Sequence, residues 1–191
     1  MNIDVNNPKT TQNLSLNVTI DDAGRTLNEG FVIFKINGKT LKDENGRTIT
    51  VDVKNNTAQL NYILTSAYNA GSVNISAHYR AKNYIQENQT VKTSIIKSDL
   101  DDVSIQIDTP KGENTTLNIT LCDEVGKQIT TNSKIAIKIN GKTQNTITIV
   151  DGKIRLNLNT CNMKSGNHTI SLIVGENRLY NMKRFEIPLT I

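Results

Sequence analysis

The chain has no tryptophan, and only 3 phenylalanines and 5 tyrosines among 191 residues. The bulk of any core must therefore come from aliphatic side chains, and there is no aromatic platform on which bases or sugar rings would stack. His78 and His168 are the only histidines and Cys122 and Cys161 the only cysteines. None of the four stands near another in sequence, so no zinc-type ligand spacing exists. The signatures GxGxxG, GxxxxGK(S/T), HExxH and GxSxG are missing, and with them the usual phosphate-binding, metalloprotease and serine-hydrolase devices. No apolar run approaches the ~20 residues of a membrane helix. Met1-Asn2-Ile3-Asp4 opens neither a basic nor an apolar signal region. The expectation is a soluble protein with no enzyme activity, no cofactor, no metal and no direct membrane insertion.

Asparagine, threonine and isoleucine are abundant, at 26, 23 and 24 residues. With 36% hydrophobic and 21% charged residues, the composition is that of a packed globular chain and not of a disordered one. The net charge is +4, but it forms no block: residues 1–98 hold 11 basic and 8 acidic side chains, residues 99–191 hold 11 and 10. Without a basic stripe or interleaved aromatics, nucleic acid is not an expected partner.

The organisation is an internal repeat. Ile3-Asp4-Val5-Asn6-Asn7-Pro8-Lys9 answers Ile105-Gln106-Ile107-Asp108-Thr109-Pro110-Lys111 at an offset of 102. Asn13-Leu14-Ser15-Leu16-Asn17-Val18-Thr19-Ile20 answers Asn114-Thr115-Thr116-Leu117-Asn118-Ile119-Thr120-Leu121 at 101, and Lys35-Ile36-Asn37-Gly38-Lys39-Thr40 recurs identically from Lys138 to Thr143 at 103. A period near one hundred residues is too long for a solenoid and suits tandem domains. The expected division is 1–98 and 99–191, with the join at Ser98-Asp99-Leu100-Asp101-Asp102.

Within each repeat the hydrophobic period is two. Leu14, Leu16, Val18 and Ile20, like Leu117, Ile119 and Leu121, alternate with polar residues, as strands with one face in a core and one in water do. Phe31-Val32-Ile33-Phe34 and Ile135-Ala136-Ile137 read as central strands covered on both faces. Each leads into Asn-Gly, the pair whose tolerance of positive φ suits a type I′ hairpin turn. Further punctuation at Asn45-Gly46, Asp151-Gly152, Gly71 and Gly166 leaves short strands and no helical stretch. The predicted fold is all-β: two tandem β-sandwiches of about seven strands each.

The order of blocks, with an alternating strand, a loop at Gly24 or Gly126, an apolar strand ending in Lys-Ile-Asn-Gly-Lys-Thr, then Ala70-Gly71 or Ser165-Gly166, resembles prokaryotic Ig-like (Big-type) repeats. It is most similar to the Asn-, Lys- and Thr-rich repeats of adhesin-like surface proteins in methanogenic archaea. Such repeats commonly place an aromatic just after the Ala-Gly, where this chain has Ser72-Val73 and Asn167-His168. The resemblance implies an extracellular, cell-surface location and a role in cell adhesion, as spacer or adhesive module of a longer multi-domain chain. The implied partner is a surface ligand, protein or glycan, and no catalytic residue is implied. Two other settings use the same kind of domain: a receptor-binding or decoration module of a viral tail fibre, and accessory domains of a cell-wall-processing enzyme.

Eight Asn-x-Ser/Thr sequons, at Asn13, Asn17, Asn55, Asn74, Asn88, Asn114, Asn118 and Asn167, are candidate glycosylation sites; composition alone would give about 4.5. Asn17 and Asn118 fall at equivalent outward strand positions. Asp99, Asp101 and Asp102, with Asp21-Asp22 or Asp123, offer oxygen atoms for Ca²⁺ but lack the Asp-x-Asp-x-Asp-Gly loop, so they read as a solvated acidic linker. In Ig-like topology Cys122 and Cys161 belong to opposite poles, ~23 Å apart, beyond the ~7 Å that a disulfide spans. Lys35 and Lys138 occupy equivalent strand positions, but the aromatic-walled carboxylate that a Lys–Asn isopeptide bond needs is not evident. Ligand contact is expected from the polar loops at the poles, Asp21 to Gly30 and its counterpart Cys122 to Ser133. The two sandwiches are expected to fold independently, joined end to end by a short connection.

Overall fold

The computed structural model describes residues 1–103, 105, 107–129 and 131–191, so that Gln106 of the repeat alignment and Thr130 of the second pole loop lie outside the described residues. The chain divides into two compact units, Met1–Ile96 and Lys97–Ile191. The first unit holds β1 (Asn2–Val5), β2 (Asn13–Thr19), β3 (Phe31–Ile36), β4 (Lys39–Thr40), β5 (Thr50–Asp52), β6 (Thr57–Ile63), β7 (Gly71–Arg80) and β8 (Asn88–Ile95). The second holds β9 (Ile107–Asp108), β10 (Asn114–Thr120), β11 (Ser133–Ile139), β12 (Lys142–Ile149), β13 (Lys153–Asn159), β14 (Asn167–Val174) and β15 (Lys183–Thr190).

Each unit is an Ig-like sandwich of two mainly antiparallel sheets. In the first, β1-β2-β6 faces β4-β3-β7-β8, with β5 also on β3; in the second, β10-β13 faces β12-β11-β14-β15-β9. The alternation in sequence is the reason. Leu14, Leu16 and Val18 of β2 point inward at 0–2% exposure, and Val32, Phe34 and Ile36 of β3 answer them from the other sheet at 0–1%. Fully burying one such side chain stabilises the fold by roughly 1.5–3 kcal/mol. The second core repeats the plan with Leu117 and Ile119 against Ile135, Ile137, Ile170 and Leu172.

The opening segment serves both sheets. β1 pairs antiparallel with β2; after Pro8 the chain crosses, and Lys9 pairs parallel with Ile96. Pro8 lacks an N–H and only accepts there, from Ile96 N at 3.0 Å, while Thr10 N donates to Ile96 O at 2.9 Å. In the second unit β9 likewise runs parallel to β15.

The Asn-Gly pairs of the two Lys-Ile-Asn-Gly-Lys-Thr blocks adopt the expected turn, with φ of 48° and 78° at Asn37-Gly38 and 48° and 79° at Asn140-Gly141. The continuous apolar runs, by contrast, are not covered on both faces. β3 alternates buried and half-buried residues, and Ala136 of β11 is half-buried between buried neighbours. A two-layer sandwich covers only the inner face of each sheet. Ile33 therefore lies on the outer face beside Thr50 and His78, where a half-buried aliphatic side chain is tolerated.

Candidate functional site

The loops at one pole of the first unit enclose a cavity of about 590 Å³. One wall is the β2–β3 loop. Ala23 and Gly24, at φ 53° and 81°, turn the chain back so that Arg25 N donates to Asp22 O at 3.0 Å. Asn56, on the turn between β5 and β6, braces this loop from beneath. Its Oδ1 accepts from Leu27 N at 2.9 Å and its Nδ2 donates to Ile20 O at 3.0 Å and Arg25 O at 2.9 Å. Gly30 closes the wall onto β7, at φ 87°, where a Cβ would stand 2.5 Å from Arg80 O and 2.8 Å from Ala81 Cβ.

The other wall is the β7–β8 loop. Tyr79 at its root is buried and donates from Oη to Glu29 O at 2.9 Å; Asn83 Nδ2 reaches the Glu29 carboxylate at 3.0 Å. Burial holds the Tyr79 phenol above its ordinary pKa, and Glu29 and other acidic neighbours push the same way. Asp21, Asp22, Glu29 and Glu87 line the cavity with Arg25 as their only cationic side chain in the lining. Arg25 pairs with Asp22 at 3.3 Å, and the Met1 nitrogen lies 3.1 Å from Glu87. Tyr84 and Ile85 form the lip, 37% and 86% exposed. Among the described residues no group of three or more His, Cys, Asp or Glu side chains is arranged to hold a metal ion.

The corresponding pole of the second unit is closed. Residues Lys97 to Asp102, which include the Ser98-to-Asp102 join expected to be a solvated acidic linker, are strapped between its two pole loops. Ser98 N donates to Leu179 O and Asn181 N to Ser98 O, both at 3.0 Å; Asp101 N donates to Cys122 O at 2.9 Å and Glu124 N to Asp99 O at 3.1 Å. Leu100 is 3% exposed, Leu179 0% and Tyr180 1%. The acidic residues take separate partners: Asp99 accepts from Asn181 Nδ2 at 2.7 Å, and Asp102 pairs with Lys183 at 2.7 Å. The single Leu100 among polar neighbours concealed this packing, since one apolar residue carries no period. The β10–β11 loop, expected to be a free ligand-contact loop, is thus partly covered by its own chain.

The sequon asparagines scatter over both units. Asn13, Asn55, Asn74, Asn88, Asn114, Asn118 and Asn167 are exposed, whereas Asn17 is half-buried. The equivalence of Asn17 with Asn118 fails because β2 is flanked on both sides. Asp4 and Gln59 stand opposite Asn17, and its Oδ1 is buried with no hydrogen-bond partner among the described residues. Cys122, half-buried, and Cys161, exposed, are both free. The positions directly opposite Lys35 are Ser76 and Thr40, and those opposite Lys138 are Ser171 and Thr143. His168 uses both ring nitrogens, one 2.7 Å from Asn140 Nδ2 and one 2.7 Å from Lys164 O.

Around Ala70-Gly71 the tyrosine common in similar repeats is replaced in the core by Val73, and the buried aromatic of β7 lies at its far end, Tyr79. Tyr68 instead stands edge-on to Tyr62, ring centroids 6.3 Å apart, with its phenol pushed up to about 12 by burial and by Tyr62. It lines a second cavity of about 330 Å³ with Asn37, Lys39 and Ile95.

No protein family matches the chain by sequence, and no curated protein sequence matches it. Solved structures share its fold. Invasin, a bacterial integrin-binding protein, superposes with a TM-score of 0.54 at 16% identity over 98% of this chain and 39% of its own. Domains A168–A170 of titin give 0.54 at 12% identity, over 98% and 63%. A two-domain fibronectin type III segment of chicken tenascin gives 0.51 at 13% identity, over 100% and 98%. The chain thus spans less than two thirds of the invasin and titin structures, and identities this low establish the Ig-like and fibronectin-like fold alone.

Proposed function

We propose that the chain is a pair of non-catalytic Ig-like repeats of an adhesin-like surface protein. In this reading the strand faces serve as scaffold, and the β2–β3 and β7–β8 loops at the pole of the first unit are the contact surface for a protein or glycan at another surface. The observation that carries it is the pole of the first unit, where the β2–β3 and β7–β8 loops enclose an acidic cavity and Tyr84 and Ile85 stand at its lip. Loops held on a rigid sandwich are where recognition usually resides. The Big-type resemblance and the presence of this fold in an integrin-binding protein support it.

Two measurements test the reading. Antibodies against the chain are expected to label intact, unpermeabilised cells of the source organism; labelling that requires permeabilisation contradicts a surface role. Beads coated with the chain are expected to attach to those cells, and beads carrying the Tyr84→Ser, Ile85→Ser double variant are not. Glycosylation belongs to the same proposal: glycopeptide mass spectrometry on native protein should find sugar at exposed strand sites such as Asn118 and Asn74 before Asn17. Finding every sequon bare removes this part.

A further inference from the structure

We propose that the second unit joins a second copy of the same chain through β12, the two strands pairing antiparallel about a two-fold axis at Ile147. This surface is separate from the loops read above as the adhesive pole, and the inference goes beyond that reading.

β12 ends the larger sheet of the second unit, with β11 on one side and no strand on the other among the described residues. The direction of its main-chain groups follows from its neighbour. Gly175 N donates to Lys134 O at 2.8 Å, so Lys134 and, two residues on, Ala136 turn their backbone groups toward β14. Thr148 and Thr146 stand opposite these two, and by the antiparallel alternation they turn their own groups outward, away from β11. The Thr146 N–H meets the Oδ1 of its exposed neighbour Asn145 at 2.8 Å, a local bond that gives way to a partner carbonyl. From this outward side no hydrogen bond reaches the Thr146 carbonyl or either main-chain group of Thr148 among the described residues.

In the first unit the same edge is blunted. After β4 the chain leaves the sheet in the charged arm Leu41 to Ile49, and β5 then returns to β3. The edge strands there are 2 and 3 residues long, which discourages pairing between chains. No arm interrupts β12, which runs for 8 residues. From Thr143 to Val150 it has no charge, no proline and no glycine. An uncharged edge rich in β-branched residues is a template for another strand.

The occupant that fits is β12 itself. About an axis at Ile147, Thr146 of one copy lies opposite Thr148 of the other, and these are the two residues with outward main chain. Each such pair exchanges two hydrogen bonds. Ile147 meets Ile147 and Asn145 meets Ile149, all on the inward side of the sheet, and Lys142 falls across from Gly152, so no like charges oppose. The pairing from Asn145 to Ile149 also avoids the β-bulge where the register on β11 shifts. Because the axis uses the same edge of both copies, assembly closes at a dimer.

Sedimentation of the 191-residue chain across a concentration series up to about 1 mM tests this. A reversible monomer–dimer equilibrium is expected, with concentration-dependent shifts of the backbone amide signals centred on Asn145 to Ile149. Two double variants set the register: Thr146→Lys with Thr148→Lys, and Thr146→Glu with Thr148→Glu. Both positions are exposed, so each variant keeps its fold, and its spectrum confirms that. Each variant alone should dimerise more weakly than the parent, since like charges then face each other twice. Their equimolar mixture should form a heterodimer at least about fivefold tighter than either variant with itself, a recovery that a folding defect would not give. Absence of a dimer up to about 1 mM overturns the proposal. So do variants that dimerise as well as the parent, a mixture that recovers nothing, amide shifts confined to other surfaces, or growth beyond the dimer.

Discussion

Asn56 and Gly152 occupy the same turn in the two units and solve one problem in opposite ways. Both sit at a φ of 64° in a tight hairpin next to the loop that follows the second strand of the sandwich. In the first unit the asparagine side chain fills the space under that loop and satisfies three of its backbone groups. In the second unit Ile129 fills it, with Cγ1 2.6 Å from where a Cβ on Gly152 would be. Asn56→Gly is expected to lower the stability of the first unit by about 1–3 kcal/mol, because it strips partners from partly buried backbone groups. Gly152→Ala should cost the second unit a similar amount through strain and overpacking. Urea denaturation followed by amide signals of each unit checks both; an unchanged midpoint for Asn56→Gly would show that the brace carries no stability. The sequence announced the Asn-Gly and Asp-Gly turns because glycine advertises positive φ. Asn55-Asn56 was visible only as part of a sequon, since its role is set by a loop some thirty residues earlier in the chain.

A second repeat operates at the scale of elements, and the fixed offset near 102 hides it. Leu41-Lys42-Asp43-Glu44-Asn45-Gly46-Arg47-Thr48-Ile49 and Leu121-Cys122-Asp123-Glu124-Val125-Gly126-Lys127-Gln128-Ile129 follow one pattern at an offset of 80. They form the same small arm. Asp43 N donates to Arg47 O at 2.9 Å and Asp123 N to Lys127 O at 2.8 Å, and Ile49 N and Ile129 N each donate to the leading leucine at 3.1 Å. In both arms the aspartate Oδ1 takes two more backbone N–H groups, at 3.0 and 2.8 Å for Asp43 and at 3.1 and 2.9 Å for Asp123. The arm follows β4 in the first unit and β10 in the second, so an autonomous turn has been used at two sites of one fold. Local hydrogen bonding specifies it, and tertiary placement decides its worth. Asp123 is fully buried beneath the Lys97-to-Asp102 segment, whereas Asp43 is exposed. Asp123→Ala is expected to cost about 2–3 kcal/mol and Asp43→Ala less than about 1 kcal/mol, water replacing the lost acceptor in the second case. Equal losses in thermal denaturation would contradict this ranking.

For the whole molecule, the sandwich architecture was legible because alternation and turn chemistry are written into contiguous residues. The candidate site was legible only as a location. Asp21 to Gly30 marks one of its walls, but the cavity needs the β7–β8 loop, whose Tyr84 and Ile85 show no pattern in sequence. Nor does composition reveal that Ser98 and Leu100 belong to the second unit's packing. That packing bears on where the chain can be divided. A second unit beginning at residue 103 loses Leu100 from its pole and should be less stable by roughly 1.5–3 kcal/mol than one beginning at Lys97.

The central claim is that the chain comprises two autonomous Ig-like modules, each with its own core. Calorimetric unfolding of residues 1–96 and 97–191, prepared separately, tests it most directly. The account predicts a single cooperative transition for each half, with the two enthalpies summing to that of the intact chain. A half that shows no cooperative transition on its own would contradict it.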